Sequence, residues 1–244
     1  MLSASLSASL STALSVSLSD TLSAVARAGL GVGVLVCLVA CAPALNWREV
    51  RPADAQGLQA TFPCKPMAAQ RRLVLPGLPD AVTLNLLSCE ADGSMWALTH
   101  LTLSDATQVP TALRALAAST RGNVELASRE AQHMAQQAAQ RAAPGSAQGQ
   151  AVTEPPLRAS ELPPVAVPRM TPQPESRGWL FEGRRPGDGG GGGGDSAPLR
   201  VTAWHFSHGL TVFQASVWQA GEAASAHSGR EGVTTFLQGF HFPG

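Results

Sequence analysis

Lysine is almost missing from this chain: Lys65 is the only one, and 17 basic side chains stand against 17 acidic ones, for a formal net charge of +0. Non-specific binding to a phosphate backbone needs clustered Lys and Arg, so this balance argues against nucleic acid as a partner. Charged residues are also scarce, at 14% against the ~25% usual for a globular domain. The chain has no GxSxG, no HExxH and no CxxC or HxxxH set, so the sequence presents no recognisable nucleophile, zinc or redox motif. The six glycines 189–194 lack the Gly-Lys-Ser/Thr ending of a phosphate-cradling loop, and the Gly29-x-Gly31-x-Gly33 run follows no strand. No cofactor or metal is therefore expected. Small and flexible residues are plentiful instead, with 24 Gly and 18 Pro in 244 residues. The length allows one domain or two small ones, and the folded unit is expected to be shorter than the chain.

Residues 1–23 alternate Ser with Leu or Ala as a low-complexity leader. After Arg27 comes an uncharged run of 13 residues, Ala28 to Ala40, which as a helix spans only about 20 Å of the ~30 Å hydrocarbon core. That length suits the apolar region of a signal peptide, and a start at Val25 gives it a conventional short basic segment. The Leu38-Val39-Ala40-Cys41 sequence that ends it resembles the lipobox of bacterial lipoproteins. The resemblance implies cleavage before Cys41, acylation of Cys41 and tight membrane attachment, since each buried methylene contributes about 0.8 kcal/mol. The alternative is an uncleaved membrane helix, because the run continues uncharged through Leu45. Either way the remaining chain is expected outside the inner leaflet.

With Cys37 in the apolar run and Cys41 the lipid candidate, Cys64 and Cys89 are left in the mature chain. An oxidising compartment favours pairing them, and closing a loop of about 25 residues stabilises by about 3 kcal/mol on the chain-entropy model. Two independent buried thiols are the other reading.

Periodicity then organises the chain. Residues 41–56 read as a polar tether. Gly57 to Phe62 reads as a short strand, Leu73 to Leu75 as a second, and Val82 to Cys89 pairs with Met95 to Leu103 as a hairpin around Glu90 to Ser94. Val109, Leu113, Leu116, Thr120, Val124, Ala127, Ala131 and Met134 form one helical stripe, which Gly122-Asn123 is expected to break. Glu125 and Arg129 are spaced to pair on that helix. Residues 143–177, rich in Pro, Gln, Ala and Ser, carry no periodicity and are expected to be disordered or extended. Gly178 to Gly183 reads as a strand, and Pro198 to Phe206 and Leu210 to Trp218 as a hairpin. With His208-Gly209 as its turn, Trp204 lies opposite Phe213, Thr202 opposite Ala215 and Arg200 opposite Val217, an apolar face that should carry a helix. Ser228 to Glu231 has a capping-box pattern, and Val233, Phe236, Leu237 and Phe240 give the following helix its stripe. The expected unit is α+β, an antiparallel sheet with helices on its faces, in two parts over 57–142 and 178–244 separated by the 143–177 insertion.

Phe62-Pro63-Cys64-Lys65-Pro66, the second Cys in Leu86-Leu87-Ser88-Cys89, and the C-terminal Phe236-Leu237-x-x-Phe240-x-Phe242 resemble a set of secreted or lipid-anchored proteins of beta-proteobacteria. More distantly, the element order resembles the PsbP-like fold of the photosystem II extrinsic protein. The likeness spans Gly57 to Thr120 and Gly178 to Phe242 and implies no activity at particular residues. The functional expectation is a non-enzymatic envelope lipoprotein with a binding or assembly role, facing the periplasm from the outer membrane, with an envelope protein as partner. The competing expectation is a small-ligand binder or enzyme using the sheet face around Trp96, His100 and Trp204. The HxxH pair His205 and His208 sits on a strand, where residues three apart point to opposite faces, so it is not expected to hold a metal.

Overall fold

Alternating apolar residues put most of the chain into strands. The computed structural model describes residues 45–141, 157–186, 196–225 and 228–244. The leader, Cys41 and the six-glycine run lie outside them. The elements are β1 (Arg48–Val50), β2 (Ala60–Phe62), β3 (Met67–Val74), β4 (Ala81–Ala91), β5 (Ser94–Thr102), α1 (Val109–Arg141), β6 (Arg158–Glu161), β7 (Gly178–Pro186), β8 (Ser196–His208), β9 (Thr211–Ala220), α2 (Glu222–Ser225) and α3 (Ser228–Gln238). Among the described residues, seven strands form one sheet in the order β3-β4-β5-β9-β8-β7-β6, and β1 and β2 form a second, small one. Every pairing is antiparallel. The fold is α+β, as the periodicity predicts.

Strand parity divides the core. One face of the large sheet presents Trp96 and Leu98 from β5, Phe206 from β8, and Phe213, Ala215 and Val217 from β9. Val233, Phe236 and Leu237 of α3 and Phe240 just after it cover this face together with Leu58, Ala60 and Phe62 at β2. Phe236 sits at its centre, edge-on to Phe62 at 5.2 Å, Trp96 at 5.4 Å and Phe240 at 5.0 Å. Such aromatic pairs contribute about 0.5–1.5 kcal/mol each beyond their buried area. The opposite face lies under α1. There Leu101, Leu103, Val109, Leu113 and Leu116 form one cluster, and Val124, Phe181, Leu199 and Val201 another.

Several expectations change. Residues 46–56 are no free tether: β1 pairs with β2, Asn46 N–H donates to the Pro63 carbonyl at 2.7 Å, and Ala55 is buried. A single short strand has unpaired backbone groups, and β1 supplies partners for β2. The described part of the Pro-rich segment is also ordered. β6 pairs with β7, Val165 and Val167 are buried in the aromatic cluster, and Thr171 N–H donates to the Ser207 carbonyl at 2.7 Å. Isolated apolar anchors and borrowed backbone partners hold a stretch that has no periodicity of its own. Helix α1 runs unbroken for 33 residues through Gly122, because Thr120 and Val124 on either side are buried and tertiary packing outweighs the glycine penalty. On its surface Glu125 pairs with Arg121 at 3.0 Å, while Arg129 donates to the Glu125 carbonyl.

The last hairpin keeps its predicted faces but shifts its register by two. Phe206 lies opposite Phe213, Trp204 opposite Ala215, Thr202 opposite Val217 and Arg200 opposite Gln219. The turn is Gly209-Leu210, with Gly209 in the left-handed region at φ 55°. A two-residue slip preserves which side chains share a face, so the prediction that this face carries a helix holds even with the wrong partners.

Candidate functional site

The hydrophobic sheet face does not expose the three residues expected on it equally. Trp96 is 1% exposed, with its indole N–H donating to the Ala91 carbonyl at 3.2 Å and its ring edge-on to Trp47. His100 is 2% exposed and stacked on Phe213 at 5.9 Å. Burial lowers its pKa, with the Asp54 charge acting in the opposite direction. Both are core residues, and the expectation that they line a binding face is corrected. Trp204 differs: it is half-buried and lines a cleft of about 300 Å3 between the sheet and α3.

The cleft is built by three elements. Its floor is the sheet, with Leu180 from β7 and Arg200, Thr202 and Trp204 from β8. One wall is α3, through Arg230, Val233 and Leu237, and the other is Leu162-Pro163-Pro164, held because Leu162 N–H donates to the Gly178 carbonyl at 2.9 Å. Gly178 is required for this wall to close. A Cβ there would stand 2.9 Å from the Trp204 ring and 3.0 Å from Leu162 Cβ.

Strand register grades the cleft from apolar to charged. Trp204 lies beside Gly178, Thr202 beside Leu180, and Arg200 beside Glu182 on one side and Gln219 on the other. Four residues of strand separate Trp204 from Arg200, about 13 Å. The amino-terminal end of α3 lies over the charged end, since a Cβ on Gly229 would meet the Gln219 amide at 2.5 Å. Arg230, next in sequence, also lines the cleft. Glu182 meets Arg200 at 3.6 Å.

A broader depression of about 940 Å3 beside the β4–β5 turn is lined by Glu90, Asp92, Met95, Arg185 and Trp218 among others. Its lining mixes both charges.

The remaining sequence candidates are accounted for individually. Cys64 and Cys89 are disulfide-bonded, Cα to Cα 6.1 Å, which joins the β2–β3 connection to β4. Cys41 lies outside the described residues. His205 and His208 point apart: His205 is buried under α1, whereas His208 stacks on Phe242 at 4.0 Å with Nδ1 2.8 Å from the Arg169 carbonyl. Among the described residues neither ring nitrogen of His205 makes a well-formed hydrogen bond; burial lowers its pKa to about 4, and looser polar contacts from the Arg177 backbone and the Gln214 side chain act in the opposite direction. His241 Nε2 meets Gln59 Oε1 at 3.1 Å. Among the described residues no group of three or more His, Cys, Asp or Glu is placed to hold a metal, and no helix is long and apolar enough to cross a membrane. No family model, curated protein or solved structure matches the chain.

Sequence reasoning puts Arg200 on this face without giving it a role, and it misses the 162–164 wall. A signal for the first was present, because Arg200 shares parity with Thr202, Trp204 and Phe206 on β8, and a guanidinium on an apolar face calls for an explanation. The wall had none: Pro-Pro in a low-complexity context carries no indication of what it packs on.

Proposed function

We propose that the protein is a lipid-anchored binding protein of the bacterial cell envelope, acylated at Cys41, facing the periplasm from the outer membrane and acting without catalysis. The observation that carries the binding role is the Trp204 cleft, an apolar trough with a few polar groups gathered at one end, the usual build of a small-ligand site. The Cys64–Cys89 disulfide supports an oxidising compartment. The anchor rests on the lipobox-like Leu38-Val39-Ala40-Cys41, after which only residues 42–44 precede Leu45, a side chain packed on the aromatic core. The motifs FPCKP, LLSC and FLxxFxF, which resemble those of the beta-proteobacterial secreted and lipid-anchored set, support the same reading. An envelope protein is the expected partner for assembly at the outer membrane.

Metabolic labelling with a radioactive fatty acid, followed by fractionation of the envelope, tests the anchor. The wild type should be labelled and recovered with the outer membrane, and Cys41→Ser should lose the label and be misprocessed or released. A Cys41→Ser protein that stays membrane-bound and normally processed identifies the 28–45 run as an uncleaved helix instead.

A further inference from the structure

We infer that the exposed edge of β3 takes up an extended acidic segment of a protein partner as an added strand, with adjacent carboxylates of that segment meeting Arg71 and Arg72. This rests on the envelope-partner role proposed above and gives it a surface, separated by three strands from the β8 floor of the Trp204 cleft.

Geometry makes the edge available. The large sheet ends in β6 on one side and β3 on the other. β6 is four residues long and its Glu161 is paired with Arg177, whereas β3 runs for eight residues. The register of β3 with β4 is uninterrupted from Met67 opposite Ser88 to Val74 opposite Ala81, so no bulge turns the edge away, and the strand contains no proline. Alternate residues of an edge strand point their N–H and C=O groups outward, and along β3 only Leu73 is withdrawn from solvent. Met67 and Val74, 75% and 65% exposed, leave apolar side chains at both ends for an added strand to cover.

Charge selects the occupant. Arg71 and Arg72 are exposed, and among the described residues neither has an ion-pair or hydrogen-bond partner. Successive strand residues point to opposite faces, so one guanidinium stands on each face of the edge. A basic segment is repelled on both. In full two-fold register a second copy of β3 sets Arg71 and Arg72 diagonally across from each other on both faces, which disfavours self-pairing as well. A segment with two adjacent acidic residues instead puts one carboxylate on each face. Main-chain hydrogen bonds supply the affinity of such strand addition, and the charges choose the partner.

Calorimetric titration of the full chain in phosphatidylcholine nanodiscs, with empty discs as blank, tests the assignment with the end-blocked peptide Thr-Val-Thr-Glu-Glu-Thr-Val-Thr. It should bind saturably, one per chain, and the same peptide with Gln for both Glu at least fivefold more weakly. N-methylation of alternate residues leaves one row of N–H donors free to face β3 and should preserve binding, whereas N-methylation of every residue should abolish it. Arg71→Gln with Arg72→Gln, both on exposed side chains, should remove the preference for Glu over Gln. Equal affinity for the Glu and Gln peptides in the wild type, a comparison that needs no variant to fold, overturns the acidic assignment and leaves a strand partner of another kind at β3. A fully N-methylated peptide that binds as tightly as its parent reduces the contact to an ionic one and overturns the added strand. So does a folded double arginine variant that still prefers Glu overturn the role of the arginines. Sedimentation of the wild type as a dimer that binds no peptide makes a second copy the occupant. If a monomeric chain binds no peptide, the β3 surface falls, while Cys41 labelling reports on the anchored-lipoprotein reading independently.

Discussion

The two faces of the large sheet solve the same packing problem in different ways. The face under α3 is covered by only 11 helical residues, yet Phe236 and Phe240 join Phe62, Trp96, Phe206 and Phe213 in one contiguous aromatic cluster. The face under α1 has 33 helical residues above it and two separate apolar clusters. Between those clusters strand parity places small and polar side chains, Ala203, His205, Ser207 and Ser216, all buried. Helix length and core quality are therefore separate quantities. The short helix is held by ring packing, and the long one spans a middle of buried polar groups, where among the described residues the Ser207 hydroxyl and both nitrogens of His205 make no well-formed hydrogen bond.

That contrast can be broken most sharply at Phe236. Phe236→Ala removes a fully buried ring from the centre of the aromatic face and should cost about 3–5 kcal/mol, read as a lowered midpoint in urea with an unchanged slope. A loss under about 1 kcal/mol would mean that the aromatic face is not the stabilising one.

Next in size is the bridge on the same side of the molecule. Cys64→Ala and Cys89→Ala should each cost about 2–5 kcal/mol, with the double variant no worse than either single one. Additive losses in denaturation experiments would show that the two sulfurs act independently.

The α1 face should instead respond to acid. His205 has its pKa lowered from 6.5 to about 4 by burial, so below pH 6.5 the unfolded chain takes up a proton that the native chain refuses. Its contribution to stability is complete above about pH 6.5 and shrinks as pH falls towards 4, by about 3 kcal/mol in total. Burial of His100 acts in the same direction on the other face. Urea titrations at a series of pH values should show a steeper loss for the wild type than for His205→Gln across this window, and parallel curves would contradict the assignment.

Smallest is Gly122→Ala. A Cβ at Gly122 meets nothing within 4 Å, so alanine should stabilise α1 by up to about 1 kcal/mol through helix propensity and the unfolded chain's entropy. A loss of stability would locate a break in the helix at this position.

The parts legible in the sequence share a cause: regular periodicity over enough residues. The β4–β5 hairpin, the α1 stripe and the Phe236-Leu237-x-x-Phe240 face all have it, and each forms. Where partners come from far away the reading fails. β1 carries Arg48 and Glu49 and reads as polar tether, yet it is a strand because β2 needs a neighbour. Val165 and Val167 are too few to make a pattern, yet both are buried in the aromatic cluster. The candidate site follows the same division. Trp204 was named from its parity, Trp96 and His100 were assigned to the same face without knowing that α3 and β1–β2 would seal it, and the Pro163-Pro164 wall was invisible.

The disulfide also determines how the domain bears load. A pull applied at the chain's amino-terminal side enters at Leu45 and meets Asn46, whose N–H is bonded to the Pro63 carbonyl at 2.7 Å. The next residue is Cys64, covalently tied to Cys89 on β4. Once that hydrogen bond gives way, tension unzips the three-residue β1–β2 ladder, and it stops at Cys64, where the bridge passes it to an 11-residue strand bonded on both sides. In a reducing medium that stop is absent, and the same pull runs on from β2 into β3 at the edge of the large sheet.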